Sequence, residues 1–251
     1  MNANGDQQHT EAPFLVQMAV HDLRGPLTAI LNGLELTTQA DDPLEADEAQ
    51  RILRLCLDSG RALMRQIDSL LDVAQIESKR LPLKFESIDI REALNTAYMT
   101  LSNTFTEKGV AIALKVEDAL PQVMGDREIL RRVFVNLLDN ALRFSPRGGQ
   151  IRIEATQAQS HEAVLVGISD KGPGIPESQR DLVFEPYRRL EPDKASAGGR
   201  RGIGLGLTFC KVAVEAHQGR ISVETACDEM GGARFLVSLP LKQSPVEQQP
   251  T

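Results

Sequence analysis

At His21-Asp22 an imidazole stands directly beside a carboxylate. A neutral imidazole is a competent nucleophile near physiological pH, and the neighbouring carboxylate can fix its tautomer by accepting from the other ring nitrogen. Farther on, Asn136, Asn140 and Arg143 recur at steps of four and three, which puts them on one face of a helix. Asparagine carbonyl oxygens suit a hard cation that already carries phosphates and waters, as Mg²⁺ does. Asp170 ends an apolar run and is followed by Gly172-Pro173-Gly174. A carboxylate at a strand end, with backbone free to approach a ligand, suits a hydrogen-bond donor such as a purine amino group. Gly202, Gly204 and Gly206, with Leu207 after them, run into a helical pattern, and the amides of such a loop and of a helix N-terminus make a phosphate site. Taken singly, a helix histidine, an asparagine pair and a glycine-rich turn also occur as plain surface features. Neither turn is a P-loop, for no Gly-Lys-Ser/Thr follows, and the residue three after Gly206 is Phe209 rather than the last glycine of a dinucleotide fingerprint.

The elements that must hold these residues follow from periodicity. Val16, Val20, Leu23, Leu27, Ile30 and Leu34 alternate steps of four and three, the seam of a helix packed on other helices. His21 lies one residue off that seam, at the edge of a bundle, and Pro26 withholds the N–H that would pair with the Asp22 carbonyl, so a bend is expected just beyond it. Helices are expected over about 11–38 and 44–78, joined by a polar turn at 39–43, with Leu63, Ile67, Leu70 and Ala74 continuing the seam. An antiparallel hairpin of this kind cannot bury both apolar stripes alone, and pairing with a second copy into a four-helix bundle solves that. The period changes near Leu81-Pro82-Leu83. Helices at about 90–108, 126–144 and 207–217, the last closed by Gly219, then interleave with strands at 110–116, 151–155, 164–169, 220–225 and 234–239. So irregular an order predicts an α+β fold in which a mixed sheet is covered on one face by helices. The Gly-rich stretch 188–201 has the composition of a functional loop.

Composition limits the classes. The 251 residues suffice for two modest domains, and 41% hydrophobic content is that of a folded protein. Twenty-eight basic against 35 acidic residues give a net charge of −7, with no basic run that would mark a nucleic-acid binder. Cys56, Cys210 and Cys227 are odd in number and widely spaced, which fits neither a disulfide framework nor a zinc site and points to a reducing cytoplasm. No apolar run approaches the roughly 18 residues of a membrane span, and the polar start is not a secretory signal. The Gln- and Pro-rich stretch 242–251 is expected to be a disordered tail.

In chain order, HDLRGPL from His21, NLLDNALRF from Asn136, DKGPGIP from Asp170, FEPYRR from Phe184 and GIGLGLTFCK from Gly202 resemble the H, N, G1, F and G2 boxes of the sensor histidine kinases of two-component signalling. The resemblance spans about 11–240. It implies a dimerisation and histidine phosphotransfer domain at 11–80 and an ATP-binding domain of the gyrase and Hsp90 type at 84–241. By resemblance His21 is the phosphoacceptor and Asp22 the base beside it. Asn140 matches the Mg²⁺ ligand, and Asn136 and Arg143 match neighbours of the ATP phosphates. Phe144 keeps the ring of the usual tyrosine, Asp170 matches the reader of the adenine amino group, and Gly172, Gly174, Gly202, Gly204, Gly206 and Leu207 match the nucleotide loops. Arg189 aligns with an arginine that reaches phosphate, although Arg188 stands next to it, and 188–201 matches the ATP lid. The implied partners are a second copy, the receiver domain of a response regulator and a separate or missing sensor domain. Gly25 stands where relatives that dephosphorylate their partner carry Thr or Asn, so weak phosphatase activity is expected. Competing readings are a catalytically silent dimeric scaffold and an ATPase of the gyrase and Hsp90 type.

Overall fold

The computed structural model describes residues 8–39, 45–77, 83–186, 188, 204–226 and 230–241, and in its first two helices the side chains of 23–38, 46–64 and 67. Helix α1, Gln8–Thr38, runs unbroken through Pro26, and α2, Ala46–Glu77, returns beside it with Asp47 and Glu48 in its first turn, where acidic groups favour the helix dipole. Close approach needs a glycine at position 33. A Cβ there would stand 2.3 Å from Cys56 Sγ and 3.2 Å from Ile52 Cγ2. Ile30 faces Gly60 and offers its carbonyl to the Cys56 thiol at 3.6 Å. The apolar seam therefore divides: Ile30 turns toward α2, while Leu27 and Leu34 remain 46% and 43% exposed.

A mixed α/β unit follows. Strand β1, Glu86–Ile88, pairs antiparallel with β3, Val123–Gly125, as a small two-stranded sheet. Both were missing from the sequence reading, because three residues carry no measurable alternation. Between them lie α3, Ile90–Lys108, and β2, Ala111–Val116. After them come α4, Arg127–Phe144, β4, Gln150–Gln157, β5, Ala163–Ser169, two short 3₁₀ turns, α5, Gly206–Ala216, β6, Arg220–Thr225, and β7, Ala233–Pro240. The main sheet has the order β2-β4-β5-β7-β6, parallel between β2 and β4 and antiparallel elsewhere. Alternate residues point inward: Ile151 and Ile153 on β4, Val166 and Ile168 on β5, Phe235 and Val237 on β7 meet Leu130, Phe134, Leu137 and Leu138 of α4 in one buried core. Each such side chain contributes on the order of 1.5–3 kcal/mol relative to exposure.

Local chemistry sets the helix ends. Asp89 caps α3 by accepting from the amides of Arg91 and Glu92, and Asp126 caps α4 by accepting from Glu128 and Ile129. Gly109 closes α3 in the left-handed region at φ +66°. At the end of α5 the left-handed residue is Gln218, φ +57°, and not Gly219 as the sequence predicted. Gly219 is required for another reason, since a Cβ there would stand 2.4 Å from the Ser238 carbonyl oxygen. Among the described residues no helix is long and apolar enough to cross a membrane.

Candidate functional site

Helices α4 and α5 run antiparallel, and successive contacts trace the pairing. The Asp126 amide meets His217, Arg132 lies 4.9 Å over the Phe209 ring, the Cys210 thiol donates to the Val133 carbonyl at 3.6 Å, and Gly206 abuts Asn136. The first turn of α5 is thereby laid against the polar face of α4. A Cβ at Gly206 would stand 3.7 Å from Asn136 Oδ1, so the amide faces the start of α5, where free N–H groups attract anions. Asn136 and Asn140 are half-buried, as expected of residues on the rim of a core stripe made by Ile129, Val133, Leu137 and Leu138. Arg143 and Phe144 at the end of the helix are exposed, with the guanidinium carbon 5.5 Å from the ring centroid.

Asp170 is 2% exposed at the end of β5. Its Oδ1 accepts from the amides of Gly172 at 2.8 Å and Ala233 at 3.2 Å, and its own amide donates to the Ala233 carbonyl at 3.0 Å. Burial pushes its carboxyl above the ordinary value, and those two amides oppose the shift. Both land on Oδ1, and Oδ2 takes neither. A loop of glycines makes the arrangement possible. A Cβ at Gly232 would stand 2.2 Å from the Asp170 carbonyl oxygen, and one at Gly172 would stand 2.8 Å from Asp170 Oδ1 and 3.1 Å from Phe144 Cβ. Gly174, at φ +75°, passes beside the carbonyls of Gly231 and Gly232. Gly172 thus ties the Asp170 turn to the end of α4. Sequence reading missed Gly231, Gly232 and Ala233; the signal was a glycine pair placed just before an alternating strand.

The structure places Asn136, Asn140, Arg143 and Phe144 on the C-terminal half of α4, Gly204, Gly206 and Leu207 at the start of α5, and Asp170, Gly172 and Gly174 in the turn that meets α4 at Phe144. Arg189, Gly202 and most of 188–201 lie outside the described residues. Arg188 is described, 57% exposed and paired with Glu185 at 2.9 Å. His21 and Asp22 fall within α1, and their side chains lie outside the described set. Among the described residues no three His, Cys, Asp or Glu side chains cluster as a metal cage. A single half-buried asparagine fits a Mg²⁺ ion that arrives on phosphate oxygens with its waters, the usual state of that ion in phosphate chemistry. The hydroxyls of Ser145, next to Phe144, and Thr208, in the first turn of α5, are buried without a partner.

Two family models match this chain. The His Kinase A (phospho-acceptor) domain covers residues 14–79, and the histidine kinase-, DNA gyrase B- and HSP90-like ATPase covers 125–243. The chain belongs to the sensor histidine kinases and comprises the phosphoacceptor and ATP-binding units of that family. The adaptive-response sensory kinase SasA of Gloeothece citriformis is 32% identical over 231 residues, which is 90% of this chain and 57% of that relative. The chain thus spans a little over half the length of the curated relative. The mycobacterial sensor histidine kinase MprB is 31% identical with a TM-score of 0.53, over 62% of this chain and 97% of that one. The histidine kinase ThkA, solved in complex with the response regulator TrrA, shares the fold with a TM-score of 0.66 at 21% identity, over 94% of this chain and 64% of that one.

Proposed function

We propose that this protein phosphorylates itself on His21 with ATP and passes the phosphoryl group to an aspartate of a response regulator. The observation that carries the reading is one polar face, running from half-buried Asn136 and Asn140 to exposed Arg143, set against a glycine-rich helix start and beside a buried Asp170, in the same chain as the His21 helix. The backbone amides at Gly204 to Leu207 bind phosphate oxygens, Asn136 adds a hydrogen bond from its side-chain amide, Arg143 adds a neutralising charge, and Asp170 accepts from the adenine amino group. Asn140 would hold Mg²⁺, which supplies charge neutralisation on the phosphates. Asp22 accepts the hydrogen on one imidazole nitrogen of His21, leaving the lone pair of the other to attack the γ-phosphorus. The new N–P bond forms as the bond to the β,γ-bridging oxygen breaks and ADP leaves with that electron pair. Positioning and charge neutralisation are most of what such a transfer requires.

The second copy is the natural partner of the hairpin. Leu27, Leu31, Leu34, Leu53 and Leu57 are all more than 40% exposed in one chain, and a four-helix bundle would bury them. Sedimentation at micromolar concentration is expected to give a dimer. ThkA's complex with a response regulator supports an aspartyl receiver as the second partner.

The decisive measurement uses γ-labelled ATP with Mg²⁺ on the wild type and His21→Gln. Acid-labile, alkali-stable label in the wild type and none in the variant is the expected result. A folded, ATP-binding wild type that takes no label would leave the silent scaffold or a plain ATPase. Gly25 has open space around it, with nothing within 4 Å of a built Cβ, and offers no side chain to hold an attacking water. Weak phosphatase activity follows. Rapid loss of phosphate from a phosphorylated regulator on adding this protein would refute that part.

A further inference from the structure

His217, at the C-terminal cap of α5, is fully buried and makes contacts that the nucleotide site does not use. Its Nδ1 lies 2.7 Å from the Ala213 carbonyl oxygen, and its Nε2 accepts from the Asp126 amide at 2.9 Å. These partners fix a neutral ring protonated on Nδ1, since a carbonyl only accepts and an amide N–H only donates. The edge of the ring meets Phe85, with centroids 5.6 Å apart. Asp126 in turn accepts from the Lys84 amide through Oδ2, at 2.9 Å, while its Oδ1 caps α4. The backbone is packed so closely that a Cβ at Gly125 would stand 2.9 Å from His217 Cδ2. Residues 83–85, the stretch that leads into the ATP unit from the phosphoacceptor hairpin, are therefore held by both helices of the α4–α5 pair at once.

The grip sits at the end of that pair opposite the nucleotide site. Ten residues separate Asp126 from Asn136, about 15 Å along the helix. A tilt of about 4° at the grip moves the far end by about 1 Å, and misplacement on that scale can cost two orders of magnitude in a transfer step. We infer that His217 is a positioning residue for phosphoryl transfer to His21, setting the direction in which the α4–α5 pair presents its nucleotide end by clamping the incoming segment at Lys84 and Phe85. The inference rests on the kinase reading above.

The test uses the full chain and compares His217→Ala, Phe85→Ala and the double variant with wild type. Expected for each single variant is a single-turnover rate of His21 labelling, at saturating ATP, at least fivefold below wild type, with the KM for ATP within twofold. The double variant is expected to be no slower than the slower single one, because both break one clamp. His217→Gln, whose side-chain carbonyl can still accept from the Asp126 amide, is expected to recover part of the rate. Phe85 is 39% exposed, so Phe85→Ala keeps the test decisive if His217→Ala does not fold. A rate loss matched by an equal rise in KM, multiplying effects in the double variant, or an unchanged rate in Phe85→Ala would overturn the inference. Absence of label in the wild type would instead remove the kinase reading, and this inference with it.

Discussion

The ammonium of Lys108 donates to the carbonyl oxygen of Leu142 at 2.6 Å, so the last residue of α3 closes the last turn of α4. The same nitrogen reaches the Arg143 carbonyl at 3.0 Å, and Arg147 returns the contact by donating to the Glu107 carbonyl. Burial, with the charge of Arg147 nearby, holds the Lys108 ammonium below its usual range, so part of the gain is offset. Lys108→Met is expected to cost about 1 kcal/mol by denaturant unfolding, and to weaken ATP binding severalfold because Arg143 and Phe144 ride on that turn. An unchanged unfolding midpoint would show that the cap contributes nothing.

Asp170 sets function against stability. Its folded pKa lies above the unfolded value, about 3.9, so stability is lost as pH rises from the unfolded value through the folded one, and above the folded value the fold bears the whole cost. Asparagine removes the charge and keeps an oxygen for the Gly172 and Ala233 amides. Asp170→Asn is therefore expected to melt at the same temperature as wild type or about 2–4 °C higher, while ATP affinity drops at least tenfold. A lower melting temperature with intact affinity would reverse both assignments.

Two glycines should respond in opposite directions. At Gly232 a methyl group would collide with the Asp170 carbonyl and carboxylate oxygens, backbone and buried side chain that have little room to yield. Gly232→Ala is expected to destabilise by about 2–3 kcal/mol and to abolish nucleotide binding. At Gly25, inside α1 with open space around it, alanine is expected to add about 0.5–1 kcal/mol through helix propensity. Thermal unfolding of the two variants checks both signs, and equal shifts would contradict the packing described.

The His217 grip carries its own acid sensitivity. Burial lowers the imidazole pKa, and the Ala213 carbonyl and the Asp126 carboxylate, the charged group acting on the ring, pull the other way without restoring it. Stability from a lowered folded pKa is complete above the unfolded value, about 6.5, and is lost as pH falls below it because the unfolded chain takes the proton first. The urea midpoint of wild type should thus exceed that of His217→Gln by more at pH 7.5 than at pH 5.5. A constant difference across that range would mean the ring does not titrate with unfolding.

The sequence disclosed most where a pattern was long or local. Alternation or, for β5, a short apolar run marked the five strands of the main sheet, and Asp126 ahead of an apolar period marked the start of α4 within a residue. β1 and β3 were too short to show a period, and the parallel pairing of β2 with β4 had no local signature at all. The placement of the candidate residues was legible in part, since Asn136, Asn140 and Arg143 share a helix and Asp170, Gly172 and Gly174 share one turn. What closed the site was not. Ala233 reaches Asp170 across 63 positions, and His217 reaches the Asp126 amide across 91, so neither pairing leaves a mark on the residues beside it. His217 read as one polar residue at a helix end, and only packing shows it buried.

The acceptor and the donor also differ in how much chain each needs. α1 and α2 meet through neighbours in sequence, whereas the nucleotide end draws on Asn136, Asp170, Gly206 and Gly232, so it is finished only after α5 and the start of β7 have docked. On the proposed reading, a chain leaving the ribosome can offer His21 before it can hold ATP. On that same reading, a product cut between the hairpin and α5 would carry His21 without being a kinase.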